Sequence, residues 1–187
     1  MSDKVSQQAI DATRNWLLRV VVGLNFCPFA KPEVDRHSIR YQVSSADTPA
    51  QAISDLLSEV YLLEDKPEIE TTLLIFPFGF ADFDDFLDML GMADGFLDQS
   101  GYRGIYQLAN FHPDYCFDGE EQDDPANFTN RAPYPTLHLI REASLENALA
   151  SVKHPEKIPE TNINKARKLG FSHMQALLKE CLDTRQK

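Results

Sequence analysis

A chain of 187 residues, 43% hydrophobic and 25% charged, has room for one globular domain with a proper core and the composition of an ordinary folded protein. Eighteen Lys and Arg stand against 29 Asp and Glu, a net charge of −11; this works against binding to nucleic acid or anionic lipid, where clustered basic residues supply the affinity. Three cysteines, an odd number, do not suggest a disulfide framework.

The N-terminus, MSDKVSQQ, lacks the basic-then-apolar layout of a secretory signal. Residues 5–22 read as a helix: Ala9, Thr13, Trp16, Leu17, Val20 and Leu24 recur at helical spacing, and Gly23 is a stop. The apolar run 16–22 is interrupted by Arg19 and falls far short of the roughly 20 residues a membrane helix needs. A cytoplasmic protein with no membrane and no nucleic-acid partner is expected. Residues 25–32, with Pro28 and Pro32, read as a stiff loop carrying Cys27 and Lys31. Ile39, Tyr41 and Val43 alternate with polar residues as a half-exposed strand.

Thr48-Pro49-Ala50-Gln51 supplies a capping box and a proline at the first helical position, and Ile53, Leu56, Leu57, Val60 and Leu63 form the stripe of the helix that follows. Residues 71–76 (TTLLIF) form a continuous apolar run, expected to be a central strand covered on both faces. Asp82 caps the next helix, with its stripe at Phe83, Phe86, Leu87, Leu90 and Leu97 and acids on the opposite face. Residues 104–110 read as a third strand and 136–141 as a fourth. Ser144 is expected to cap a short helix, His154 to Pro159 to be a linker, residues 162–169 a helix stopped by Gly170, and Ser172 to Gln175 the capping box of the last helix. The chain as a whole, 1–187, reads as a single α/β domain: a mixed sheet of about four strands, a parallel βαβαβ core, flanking helices and a helical C-terminal segment.

Between the third and fourth strands lies a polar, proline-rich stretch too long for an ordinary connection. It is dense in chemistry-bearing residues: His112, Cys116, Asp118, Asp123, Asp124, Asn127, Asn130 and Arg131, with His138 and Arg141 just beyond. Ligands of open parallel sheets bind beyond the carboxyl ends of the strands, so this loop is expected to span a ligand edge there. Three chemistries compete. A small-molecule pocket, probed as an enzyme site, would use His112 or His138 as the proton carrier. Arg131 and Arg141, with Lys31, Asn127 and Asn130, would then hold an anionic group. Internal pairing of the arginines with Asp123, Asp124 or Glu142 weighs equally. Cys27 is a nucleophile candidate against His112, although a helix C-terminus before it raises a thiol's pKa, and packing between Phe26 and Phe29 is the stronger reading. A metal site at His112 and Cys116 is the weakest, because Pro113 removes helical spacing and no Cys-x-x-Cys is present. A non-catalytic protein docking through the 111–135 loop is the alternative. No glycine-rich phosphate loop and no Gly-x-Ser-x-Gly elbow occurs; the sequence names no cofactor and leaves the oligomeric state open.

Three strings, residues 24–30 (LNFCPFA), 111–113 (FHP) and 130–135 (NRAPYP) running into 137–142 (LHLIRE), resemble a bacterial family known as domain of unknown function 1415. The resemblance extends over nearly the whole chain and implies one domain; it brings no activity, cofactor or catalytic residue with it.

Overall fold

In the computed structural model, residues 2–183 are described. Helix α1 (Ser2–Trp16) continues without a break into a π-helical segment, Leu17–Val22, so the expected first helix is present with a change of pitch in its last third. A short helix α2 (Ala30–Arg36) follows where a loop was expected. Pro32 is accommodated because it falls in the first turn, where its missing N–H and fixed φ cost nothing. Strand β1 (Ile39–Val43), helix α3 (Pro49–Asp65), strand β2 (Thr71–Ile75), helix α4 (Phe83–Gln99), strand β3 (Tyr106–Phe111) and strand β4 (Thr136–Arg141) lie where the periodicities put them. Asp82 caps α4 through hydrogen bonds from the amides of Asp84 and Asp85, whereas Thr48 makes no side-chain cap at α3. Helix α5 (Glu142–Ala150) begins two residues before Ser144. Helix α6 (Ile158–Leu169) takes in part of the expected linker, and α7 (Phe171–Leu182) starts directly after Gly170, without a side-chain cap.

The four strands form one mixed sheet in the order β1-β2-β4-β3. β1 and β2 pair in parallel, and β4 is antiparallel to both of its neighbours. β3 therefore runs in the same direction as β2, as the strand–helix–strand pattern predicts, but does not touch it. β4 returns through the long loop and inserts between them. Burial explains the choice: Thr136, Leu137 and Leu139 of β4 are wholly buried, while β3 from Gln107 onward is only partly so and suits an edge.

The strand register sorts side chains onto two faces. Leu74, Leu137, Leu139 and Leu108 point to the face covered by α3 and α4, where Leu56, Val60, Leu63, Phe86, Met89 and Ala93 complete one core. Ile39, Tyr41 and Phe111 point to the other face. There Trp16, Leu17, Val20, Phe128, Ala166 and Met174, from α1, the π-helical segment, the long loop, α6 and α7, make the second core. The result is three layers, helices–sheet–helices, in a single α/β domain. Among the described residues no helix is long and apolar enough to cross a membrane.

Candidate functional site

At the expected ligand edge, where β2 and β3 end and β4 begins, the turn after β2 packs against the segment after β1 and is tied to the long loop. Gly79 sits so tightly against Ala46 and Asp47 that a Cβ there would lie 2.5 Å from the Ala46 carbonyl oxygen. The Phe76 amide donates to the Pro135 carbonyl. Phe80 adopts a left-handed φ of 60°, and its carbonyl is held by His112 Nε2 at 3.0 Å. His112 Nδ1 accepts from the Asp114 amide at 3.0 Å; the proton is therefore on Nε2, and both ring nitrogens are occupied. The ring is wholly buried against Phe83 and Phe86, and burial pushes its pKa down. This imidazole latches the β2–α4 connection to the end of β3, and neither nitrogen is left for a substrate or a metal.

The rest of the long loop is built in the same way. Arg131 Nε donates to the Tyr115 carbonyl at 2.9 Å and Nη2 to the Gln122 carbonyl at 2.8 Å, with the guanidinium 4.8 Å above the Phe128 ring. It does pin the loop, as one of the two sequence readings has it, but through carbonyls rather than Asp123 or Asp124. Asp124 instead caps a 3-10 turn, Pro125–Thr129, and pairs with Arg167 of α6. Asn127, fully buried, accepts from the Phe117 amide and donates to the Glu121 carbonyl. Asn130 donates to the Asn110 carbonyl. The Cys116 thiol faces the Glu120 carbonyl. Tyr115 packs on Phe83 and Phe117, and Phe128 on Phe171. Among the described residues no three His, Cys, Asp or Glu side chains are grouped to hold a metal.

Arg141 and His138 lie three residues apart on β4 and so on opposite faces. Arg141 points to the α3–α4 side, where it donates to the Leu63 and Ile69 carbonyls and to the Tyr106 hydroxyl. Lys31 is exposed and pairs with Asp35 at 2.7 Å. The expected gathering of His112, Arg131, Arg141 and His138 in one hollow is therefore not formed. Arg131 and Arg141 are committed elsewhere, because buried backbone carbonyls without secondary-structure partners demand donors.

Two of the sequence candidates, Cys27 and His138, do share a pocket, and it is a different one. It lies on the sheet face under α1, toward the amino ends of β1 and β2, with a volume of about 160 Å³. Its floor is Ile39, Thr71, Leu73, His138 and Ile140; its walls come from Trp16, Leu17 and Val21, from the Cys27 loop and α2, from Phe111, and from α5. The lining is overwhelmingly apolar. The π-helical segment contributes Leu17 and Val21, and such departures from α geometry recur at functional sites.

His138 is oriented by Thr71. The Thr71 hydroxyl lies 2.6 Å from the Leu139 carbonyl and must donate to it, so it accepts from His138 Nε2, 2.7 Å away. Nδ1 then carries a lone pair, to which no described residue donates. Part of the ring faces the pocket, yet its dense surroundings hold the pKa down at about 4, so the imidazole is neutral at pH 7. Cys27 lies just ahead of α2, not merely behind the first helix. The amides of Phe29 and Ala30 face its sulfur and favour the thiolate, but burial outweighs them and the pKa is raised.

Trp16 was legible only as a core residue of the first helix. It is 1% exposed, its ring meets Phe111 edge-on at 4.9 Å, and its Nε1–H has no acceptor among the described residues. A buried indole N–H normally finds a partner; no sequence signal marks one that does not.

Neither a curated protein nor a solved structure matches the chain. A family model does, over residues 8–176, and the chain belongs to that family, described as a protein of unknown function, DUF1415.

Proposed function

We propose that the protein binds a small, mainly apolar molecule in the pocket under α1. The observation that carries the reading is the pocket itself: five separate parts of the chain converge on it, its lining is apolar, and Cys27 and His138 stand in its wall. Concave, mostly apolar sites with a few placed polar groups are the usual form of small-molecule sites. A volume of about 160 Å³ is close to that of an engineered apolar cavity known to take benzene. The anionic-metabolite version has less support, since among the described residues no Lys or Arg lines the pocket while Glu33 and Glu70 do. A catalytic version would use His138 Nδ1 as proton acceptor and the Cys27 thiol as nucleophile; with both neutral at pH 7, binding is the better-supported role. The three cysteines are unpaired, which fits a reducing, cytoplasmic setting.

The test uses toluene as probe. Trp16 is the only tryptophan, so its fluorescence reports on the pocket directly. Toluene should change that fluorescence saturably. Ala148→Phe, which places a ring in the α5 wall, should abolish the response while the variant stays folded. No saturable response in the wild type, or an unchanged response in the variant, rejects the pocket as a binding site.

A further inference from the structure

One polar atom at the pocket is positioned by the fold and then left unemployed. The Thr71 hydroxyl donates to the Leu139 carbonyl and accepts from His138 Nε2, which fixes the tautomer and leaves a lone pair on Nδ1. Nδ1 has no donor among the described residues, yet it is not one of the polar atoms sealed off without a partner, which are Thr13 Oγ1, Trp16 Nε1 and Asn110 Oδ1. It is therefore open to a small molecule. His138 stands on β4, between β2 and β3, on the sheet face under α1, so the free space beside its ring is the pocket it lines. The other polar side chains of the lining are also mainly acceptors. Glu33 and Glu70 are carboxylates, the former already engaged by Arg36 and Ser38. Thr71 has committed its proton to the Leu139 carbonyl; the Ser144 hydroxyl and the weak Cys27 thiol are the side-chain donors that remain among the lining residues. An acceptor left without a donor in apolar surroundings is destabilising, and a ligand that brings a donor relieves it.

Resting on the pocket reading above, we infer that the ligand is a neutral molecule with an apolar, ring-sized body and a hydroxyl group, of the phenol or cyclic-alcohol type. Its O–H donates to His138 Nδ1, and its body lies against Leu17, Val21, Leu73 and Leu145. A carboxylate in its place would bring a second negative charge beside Glu33 and Glu70 and offer no proton to the imidazole. An ammonium ion would donate, but its desolvation in an apolar pocket is far costlier than that of a neutral hydroxyl.

Ring-sized probes added to the full 15N-labelled chain at pH 7 separate the possibilities: toluene has no polar group, phenol donates, benzonitrile only accepts, and benzoate and benzylammonium carry charge. An imidazole nitrogen with a lone pair gives its own 15N resonance, which moves upfield when it accepts a hydrogen bond. Phenol should move the His138 Nδ1 resonance upfield, whereas toluene and benzonitrile should leave it nearly in place. His138→Leu should weaken phenol about fivefold, the usual order for one hydrogen bond, and leave toluene nearly unchanged. If that variant does not fold, or weakens toluene equally, the wild-type resonance decides alone. Benzonitrile, benzoate and benzylammonium should all bind more weakly than phenol. If toluene binds but phenol does not, or phenol binds and leaves Nδ1 where toluene puts it, the donor assignment is overturned while the pocket stands. If benzonitrile matches phenol, the preference for a donor is overturned; if either charged probe matches it, the restriction to neutral ligands is. Failure of toluene and phenol alike defeats the pocket reading itself.

Discussion

The long loop between β3 and β4 and the pocket under α1 differ in how their polar atoms are employed. In the loop, His112, Asn127, Asn130 and Arg131 all hydrogen-bond to backbone groups of the loop or of the segments beside it. At the pocket, chemistry-bearing residues are fewer, yet His138 Nδ1 has no donor among the described residues. A segment that runs over a domain without strand or helix ladders must satisfy its carbonyls and amides with side chains. It therefore gathers Asn, Arg, His and Asp for its own sake. Unused hydrogen-bonding capacity marks a site better than the density of functional residue types does.

The comparison breaks first at Arg131. Arg131→Met keeps the apolar stem and its packing but removes the donors to the Tyr115 and Gln122 carbonyls. Leaving two such acceptors without donors should cost about 2–4 kcal/mol of unfolding free energy. Chemical denaturation measures it, and proteolysis should accelerate within residues 112–135. Toluene binding should not change. A variant of native stability that had lost ligand binding would return Arg131 to the site.

Next in size is the acid response of His138. Its pKa is about 4 in the folded protein against 6.5 in the unfolded chain. Between those values the unfolded state takes up a proton that the folded state does not, so stability falls as pH is lowered from 6.5 toward 4. The loss should approach about 3 kcal/mol across that window. His112 is shifted in the same direction and adds to the slope. His138→Leu should flatten the dependence without removing it, as read by denaturation midpoints at stepped pH. If the variant keeps the full wild-type slope, the imidazole is not held neutral as the pocket description requires.

How much of this was legible in the sequence depends on the kind of interaction involved. The alternation of Ile39, Tyr41 and Val43, the TTLLIF run and the Asp82 cap are local signals, and β1, β2 and α4 appear on them. Strand order is not local: nothing in residues 136–141 says that they enter between β2 and β3. Helix α2 was hidden because Pro28 and Pro32 read as breakers, though a proline in a first turn is no obstacle. At the site, Cys27 and His138 stood out by residue type. Trp16 did not, because its place on an apolar stripe carries no trace of whether its N–H meets an acceptor. Arg131 was assigned charged partners because Asp123 and Asp124 were near in sequence; the carbonyls it binds are invisible until the loop is folded.

The smallest effect is expected at Lys31, and its position makes the smallness informative. Lys31 directly follows Phe29 and Ala30, which stand in the pocket wall, and is the lysine nearest to it along that loop. Its ammonium is turned outward to Asp35 one turn along α2, both side chains being largely exposed. Exposed pairs of this spacing contribute only about 0–0.5 kcal/mol. Lys31→Met should accordingly shift the unfolding free energy by less than about 0.5 kcal/mol and leave toluene and phenol affinities as they were. Benzoate is the discriminating probe. If it binds the wild type well and the variant poorly, the ammonium swings from Asp35 over the pocket mouth when an anion enters. Lys31 would then recover the anion-holding role expected from the sequence, and the contrast between a committed loop and an open pocket would apply only to the unliganded protein.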